Sequence, residues 1–253
     1  MTSERTGMVA GKSVVVTGGG SGIGRATALL LVEEGARVII GDVDVEGGRE
    51  TVRQAQALGG EIVFLRTDVG VASDLQALID AAVGQFGCLN GAVNNAGIDP
   101  EADPAQAWEE SSYDRVAATN GKSVFVGMKL QIAQMLRDGG GSIVNTGSIV
   151  SFSGAPGRPA YVACKHALIG LTQTAALEFG GRGIRANAVC PGGILTPLME
   201  KDQGLKAAIA ASNPMGRLGD AREVAEAVVW LLSDRSSYVN GHGIVIDGGV
   251  SAG

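Results

Sequence analysis

Little in this chain can bind a metal or close a disulfide. Its three cysteines, Cys88, Cys164 and Cys190, are odd in number and far apart, and its two histidines, His166 and His242, cannot complete a His/Cys ligand set of the usual spacing. No metal site is expected, and the thiols fit a reducing cytoplasmic setting. Positive charge is also short. The 20 Lys and Arg against 26 Asp and Glu leave a net charge of −6, so no broad basic field exists to draw the chain onto nucleic acid or anionic lipid. Long apolar runs are missing too. Residues Met1 to Lys12 carry Glu4 and Arg5, and the uncharged stretches further on are broken by Gly, Ser, Asn and Pro. Neither a signal peptide nor a membrane span is expected.

What is present is hydrophobic and rich in glycine. With 45% hydrophobic residues, 18% charged residues and 40 glycines among 253, the chain is expected to be compact, to bury a large core and to make many tight turns. Short runs rich in Val and Ile recur at Ser13 to Thr17, Arg37 to Gly41, Glu61 to Arg66, Leu89 to Asn94, Ser142 to Thr146, Ile184 to Cys190 and Gly243 to Asp247. They read as buried parallel strands. Between them lie stretches of helical period: Gly22 to Glu34, Val45 to Leu58, Ala72 to Phe86, Ser112 to Arg137, Ala160 to Phe179 and Ala221 to Ser233. This alternation predicts an α/β fold: a single doubly wound Rossmann-type domain over residues 1–253, with a mainly parallel seven-stranded sheet flanked by helices. Ligands of such sheets sit beyond the carboxyl ends of the strands. The poorly patterned stretch from Ile194 to Pro214 reads as a mobile lid over substrate.

The first strand runs into Thr17-Gly18-Gly19-Gly20-Ser21-Gly22-Ile23-Gly24, which opens a helix. A helix N-terminus with little side-chain bulk suits a pyrophosphate, since a Cβ would keep phosphate oxygens from the backbone N–H groups. A Gly-rich turn without a ligand is the alternative. Asp42 ends the second strand 18 residues after Gly24, close to the interval at which an acid meets adenosine ribose hydroxyls; it could also be a turn or capping aspartate. At the ribose it would repel a 2′-phosphate by about 4 kcal/mol at an effective dielectric near 20. That favours NAD over NADP.

Tyr161 and Lys165 stand four apart on a predicted helix, hence on one face. A free phenol titrates near ~10, and an ammonium beside it lowers that value toward useful proton transfer. Elsewhere such a pair is usually a surface contact. Ser148, thirteen residues upstream of Tyr161, follows a predicted strand and so falls at the same sheet edge as the glycines.

Together these residues resemble the short-chain dehydrogenase/reductase family. The features that carry the resemblance are Thr17-Gly18 with Gly22-Ile23-Gly24, Asn94-Asn95-Ala96-Gly97, Asn120, Ser148, Tyr161 with Lys165, and Pro191-Gly192, over a match from about Gly11 to the C-terminus. The resemblance implies that Tyr161 is the acid/base, that Lys165 lowers its pKa and contacts the nicotinamide ribose, that Ser148 steadies the substrate oxygen and that Asn120 holds a relay water. It also assigns Gly18, Ser21, Gly22, Ile23 and Gly24 to the pyrophosphate and Asp68 and Val69 to the adenine. Asn94, Ala96 and Gly97 would lie along the cofactor, as would Pro191 and Gly192, with Ile194 and Thr196 near the carboxamide. A homotetramer is expected from the family and from apolar outer faces on Ser112 to Arg137 and Ala160 to Phe179.

Cys164 and Cys190 depart from the usual family pattern and read as small-residue packing; His166 points about 100° from Lys165 and reads as structural. A close relative, a 3-oxoacyl carrier-protein reductase, would normally use NADPH and a basic patch; Asp42 and the net charge of −6 count against it. A non-catalytic dinucleotide sensor or scaffold would commonly have lost Tyr161 or Lys165. The expected substrate is an uncharged, cyclic, apolar secondary alcohol or ketone. Ile194, Leu195, Pro197, Leu198 and Met199 of the lid face Ile149, Val150, Phe152 and Pro156, and acidic Asp99, Glu101 and Asp103 would repel anions. The alternative is that these apolar residues only pack the lid against the body. Gly127-Met128-Lys129 and Lys165-His166-Ala167 are similar to family members acting on cyclic alcohols and dihydrodiols.

Overall fold

The computed structural model describes residues 7–100, 102–196 and 203–252. Seven strands form one parallel sheet: β1 (Ser13–Thr17), β2 (Arg37–Asp42), β3 (Glu61–Arg66), β4 (Gly91–Asn94), β5 (Gly141–Thr146), β6 (Ile184–Pro191) and β9 (Gly243–Ile246). Their order is β3-β2-β1-β4-β5-β6-β9, so the winding reverses between β1 and β4. That reversal opens a crevice at the carboxyl edge, where doubly wound sheets bind ligands.

Side-chain alternation along the central strands divides the interior into two cores. Val14, Val16, Val38 and Ile40 pack on one face with α1 (Gly22–Glu33) and α8 (Ala221–Leu232). Val15 and Ile39 pack on the other with α3 (Ala72–Phe86), α5 (Ser123–Asp138) and α6 (Pro159–Phe179). The strands read as continuous apolar runs because both faces are covered. Helix α2 (Val45–Ala57) follows β2, with Asp44 capping it by accepting from the Gly47 N–H at 3.1 Å.

Two elements differ from the sequence-based expectation. The segment expected as one helix from Ser112 to Arg137 comprises α4 (Glu110–Val116), a π-helical turn (Ala117–Lys122) and α5. In that turn Ser123 N–H donates to the Ala118 carbonyl, five residues back. The stretch from Ile194 to Pro214 is also more regular than its pattern suggested. Strand β7 (Ile194–Leu195) pairs in parallel with β8 (Gly219–Asp220), and α7 (Gln203–Ser212) follows. Pro197, Leu198 and Met199 lie outside the described residues, as does Glu101. Among the described residues no helix is long and apolar enough to cross a membrane, and no three His, Cys, Asp or Glu side chains gather to hold a metal.

Candidate active site

The crevice is framed first by the β1–α1 turn. Gly18 has φ +67° and Gly22 φ +50°, conformations that exact a steric cost from other residues. A Cβ on Gly24 would lie 1.9 Å from the Gly18 carbonyl oxygen, so the helix can start this close to the strand only with glycine there. Ser21, the N-cap of α1, is extended and makes no side-chain cap, leaving the helix start without a carboxylate or hydroxyl of its own. Asp42 reaches over from β2: its Oδ2 accepts from Gly20 N–H at 2.8 Å and its Oδ1 from Asp44 N–H at 2.9 Å. Thr17 Oγ1, at the end of β1, accepts from the N–H groups of the two residues after β4, Asn95 at 3.0 Å and Ala96 at 3.2 Å.

This cradle fits a dinucleotide. It has an uncapped helix start, a glycine turn without side chains, and a carboxylate at the end of the neighbouring strand. Thr196 stands over it, with its Cγ2 3.3 Å from where a Gly22 Cβ would be. Asp68 follows β3 and binds Gly70 N–H at 2.9 Å, while Val69 beside it is buried.

The side chains expected to transfer the proton, Tyr161, Lys165 and Ser148, lie along the same edge. Tyr161 and Lys165 are on the first two turns of α6, which begins at Pro159, a residue suited to a first helical position. Ser148 is hydrogen-bonded to the Tyr161 phenol. Its own loop is fixed by a reciprocal cap, with Ser148 Oγ accepting from Val150 N–H at 3.3 Å and Ser151 Oγ accepting from Ser148 N–H at 3.1 Å. Lys165 is buried, donates to the Thr146 carbonyl at 2.6 Å, and holds its Nζ 5.5 Å from the Tyr161 ring centroid.

The electrostatics differ from the simple picture of an ammonium acidifying a phenol. Burial pushes the Tyr161 phenol above its ordinary value and the Asp99 carboxylate adds to this; the Ser148 hydrogen bond and the Arg158 guanidinium pull it back. Lys165 is itself pulled down by burial to about 8, against the Asp99 charge and the nearby Cys190 and Cys164. Desolvation dominates because both groups lie on the inward face of α6, where Lys165 is buried and Tyr161 partly so.

The family model described as enoyl-(acyl carrier protein) reductase matches residues 18–251. The chain is 41% identical to a 2,5-dichloro-2,5-cyclohexadiene-1,4-diol dehydrogenase of Sphingobium indicum, over 96% of this chain and 98% of that one. It is 40% identical to a cyclohexanol dehydrogenase of an Acinetobacter species, over 94% of each. A solved structure of levodione reductase superposes with a TM-score of 0.93 at 36% identity, covering 96% of this chain and 98% of that one. The chain belongs to the short-chain dehydrogenase/reductase family. It is an oxidoreductase acting on CH–OH groups.

Within this short-chain dehydrogenase several expected contacts are redirected. Asn94 does not turn toward the nucleotide turn. Its amide is buried against Gln131 at 2.8 and 3.1 Å and Asn145 at 2.8 Å, and Asn145 continues to Thr172 at 2.9 Å. Strand alternation sends the next side chain the other way, so it is Asn95 whose Nδ2 reaches the Thr17 carbonyl at 3.1 Å. Asn120, in the π turn, has its amide engaged by one residue: Oδ1 accepts from Ile98 N–H at 2.8 Å and Nδ2 donates to Ile98 O at 2.7 Å. Gly97 lies against it, since a Cβ there would be 3.3 Å from Asn120 Oδ1.

Pro191 ends β6, and Gly192 N–H donates to Ile246 O at 2.9 Å. Ile194 is 6% exposed and belongs to the core on the α1 face, so only its backbone is left for a ligand. Phe152 lies against β9, where a Gly243 Cβ would meet its ring at 2.8 Å. Packing accounts for Ile194, whereas Phe152 remains 53% exposed beyond that contact. Cys164 packs under the π turn and Cys190 against Gly147, the latter thiol pushed up to about 11 by burial. His166 is exposed and its ring bonds the Val162 carbonyl at 3.0 Å.

The acidic mouth is also altered. Asp99 is ion-paired with Arg158 at 2.8 Å, and Asp103 is exposed, so the field against anions is weaker than three free carboxylates would give. This pair and the Arg25 guanidinium are the features that sequence reasoning missed. Arg25 bonds Thr51 Oγ1 at 2.9 Å, Gly47 O at 3.2 Å and the Gly20 carbonyl.

Proposed function

We propose that this enzyme oxidises uncharged cyclic secondary alcohols, and reduces the matching ketones, with NAD as the hydride carrier. The observation that carries the reading is the Ser148–Tyr161 hydrogen bond with Lys165 beneath the same ring, at the sheet edge that also holds the glycine turn. When bound, the nicotinamide ring supplies the acceptor for the hydride leaving the carbinol carbon. Tyr161 takes the hydroxyl proton during oxidation and returns it during reduction; Ser148 donates to the same substrate oxygen; Lys165, anchored on Thr146, keeps a positive charge below the phenol. Because burial raises the Tyr161 phenol, oxidation should gain efficiency as pH rises.

Gly18, Ser21, Gly22, Ile23 and Gly24 would hold the pyrophosphate, with Asp68, Val69, Ala96, Gly97, Pro191, Gly192 and Thr196 lining the remainder. NAD rather than NADP is supported by Asp42, whose carboxylate is held at the turn by Gly20 N–H. Arg25, a cation beside the turn, is occupied by two backbone carbonyls and Thr51 and so is not presented to a 2′-phosphate.

A cyclic substrate is supported by the named activities of the two dehydrogenase relatives. The family model's description, which names a chain held on an acyl carrier protein, favours a second reading, reduction of a 3-oxoacyl group on a carrier protein. Residues 194–214 would act as a lid, the three free thiols suit the cytoplasm, and a homotetramer would cover exposed Phe125 of α5 and Leu177 of α6. The test is oxidation of cyclohexanol, cyclopentanol, a sugar and a β-hydroxyacyl thioester, each with NAD and with NADP. Highest kcat/KM on the thioester or sugar would overturn the reading.

A further inference from the structure

The mouth of the Tyr161 site carries a fixed carboxylate that the hydride and proton steps do not use. Asn120 bonds both the N–H and the carbonyl of Ile98, and the Ile98 side chain packs in a small cluster with Tyr161 and Val116. Asp99 is the next residue, so its position follows from the catalytic π turn. Across from it, Arg158 sits at the N-cap of α6, three residues before Tyr161. Arg158 Nη1 lies 2.8 Å from Asp99 Oδ2, and the Asp99 side chain is only 21% exposed. The loops carrying them touch: Gly157, at φ +77°, would place a Cβ 3.2 Å from the Ala102 carbonyl carbon. Asp99 thus follows Ile98, which packs with Tyr161, and pairs with Arg158, the N-cap residue of the helix that carries Tyr161 and Lys165.

We propose that Asp99, braced by Arg158, accepts a hydrogen bond from a second hydroxyl of the ring being oxidised, so that cyclic diols are preferred over simple cyclic alcohols. The proposal rests on the cyclic-alcohol reading above. An ionised carboxylate is acceptor-only, with two oxygens and about four lone-pair directions, so a guanidinium and a hydroxyl can share it. Arg158 orients it, and the paired charges leave little net field to exclude a neutral ring. Against cyclohexanol the carboxylate would face methylene groups and lose water without replacement. Sites built to bond a hydroxyl discriminate strongly against the analogue lacking it; for one charged, partly exposed acceptor roughly tenfold to hundredfold is expected.

The test compares kcat/KM for cyclohexanol with the better of cyclohexane-1,2-diol and cyclohexane-1,4-diol, each as cis and trans isomers, in the wild type, Asp99→Ala and Asp99→Asn. We expect the wild type to favour a diol by about tenfold or more. The preference should fall toward unity in Asp99→Ala, mainly through a raised diol KM, and partly survive in Asp99→Asn, which keeps one acceptor oxygen. Thermal melts establish that the variants fold, and the wild-type ratio stands whether or not they do. Equal wild-type efficiencies, or a preference that persists in Asp99→Ala, overturn the proposal and leave the cyclic-alcohol reading intact. If no cyclic alcohol reacts with NAD or NADP while the β-hydroxyacyl thioester does, both fall.

Discussion

Lys165 shows what burial of one charged residue costs the fold. Burial lowers its ammonium from 10.5 to about 8, which at about 1.4 kcal/mol per pKa unit makes its charge cost on the order of 3 kcal/mol of folding stability near neutral pH. In the unfolded chain it titrates at its ordinary value. Between about 8 and 10.5 the folded form therefore binds fewer protons, and stability rises with pH through that window. Replacing it as Lys165→Met should remove the penalty but leave the Thr146 carbonyl without its donor, at a cost of about 1 kcal/mol. The variant should be inactive yet melt roughly 5 °C higher at pH 7, with the advantage fading toward pH 10.5; thermal melts across pH check this, and a lower melting point at pH 7 would refute it. The placement of Tyr161, Lys165 and Ser148 at one sheet edge was legible in the sequence because it depends on helical spacing and on strand ends, which sequence encodes directly. The direction of the Tyr161 shift was not, because desolvation is a property of the packed site. Nor was the Asp99–Arg158 pair, which joins residues 59 positions apart through two loops.

At the scale of elements, the β1–α1 turn and the end of β2 act as one unit. Asp42 both supports the turn through Gly20 N–H and offers the carboxylate that would meet the ribose. Asp42→Ala should therefore weaken NAD and relax selectivity: kcat/KM with NAD is expected to fall about tenfold or more as one charged hydrogen-bond partner is lost, while NADP improves as the repulsion goes. Steady-state kinetics with both cofactors measure it, and an unchanged NAD-to-NADP ratio would remove Asp42 from recognition. Strands and most helices were readable from their period. The π turn was hidden because one extra residue shifts the apolar stripe of Ser112 to Arg137 without breaking it. Asn94 and Asn95 show a similar limit: alternation says that they face opposite sides, and only the packing of Gln131 and Asn145 decides which side each takes.

Across the whole molecule, the reversal of strand order between β1 and β4 brings turns separated by more than a hundred residues to one crevice. Outside that crevice the helical layer leaves Phe125 56% and Leu177 88% exposed on α5 and α6. A homotetramer burying these faces predicts a four-chain mass by light scattering at micromolar concentration; a monomer alone would contradict it. The central claim is proton transfer through Tyr161 during NAD-linked oxidation of a cyclic alcohol. Its most direct measurement is turnover of cyclohexanol with NAD, followed at the nicotinamide absorbance, in the wild type and in Tyr161→Phe, with NADH binding measured on both. The account predicts that the wild type turns over, and that the variant binds NADH comparably but loses turnover by about a hundredfold or more; a Tyr161→Phe enzyme that retains wild-type turnover would contradict it.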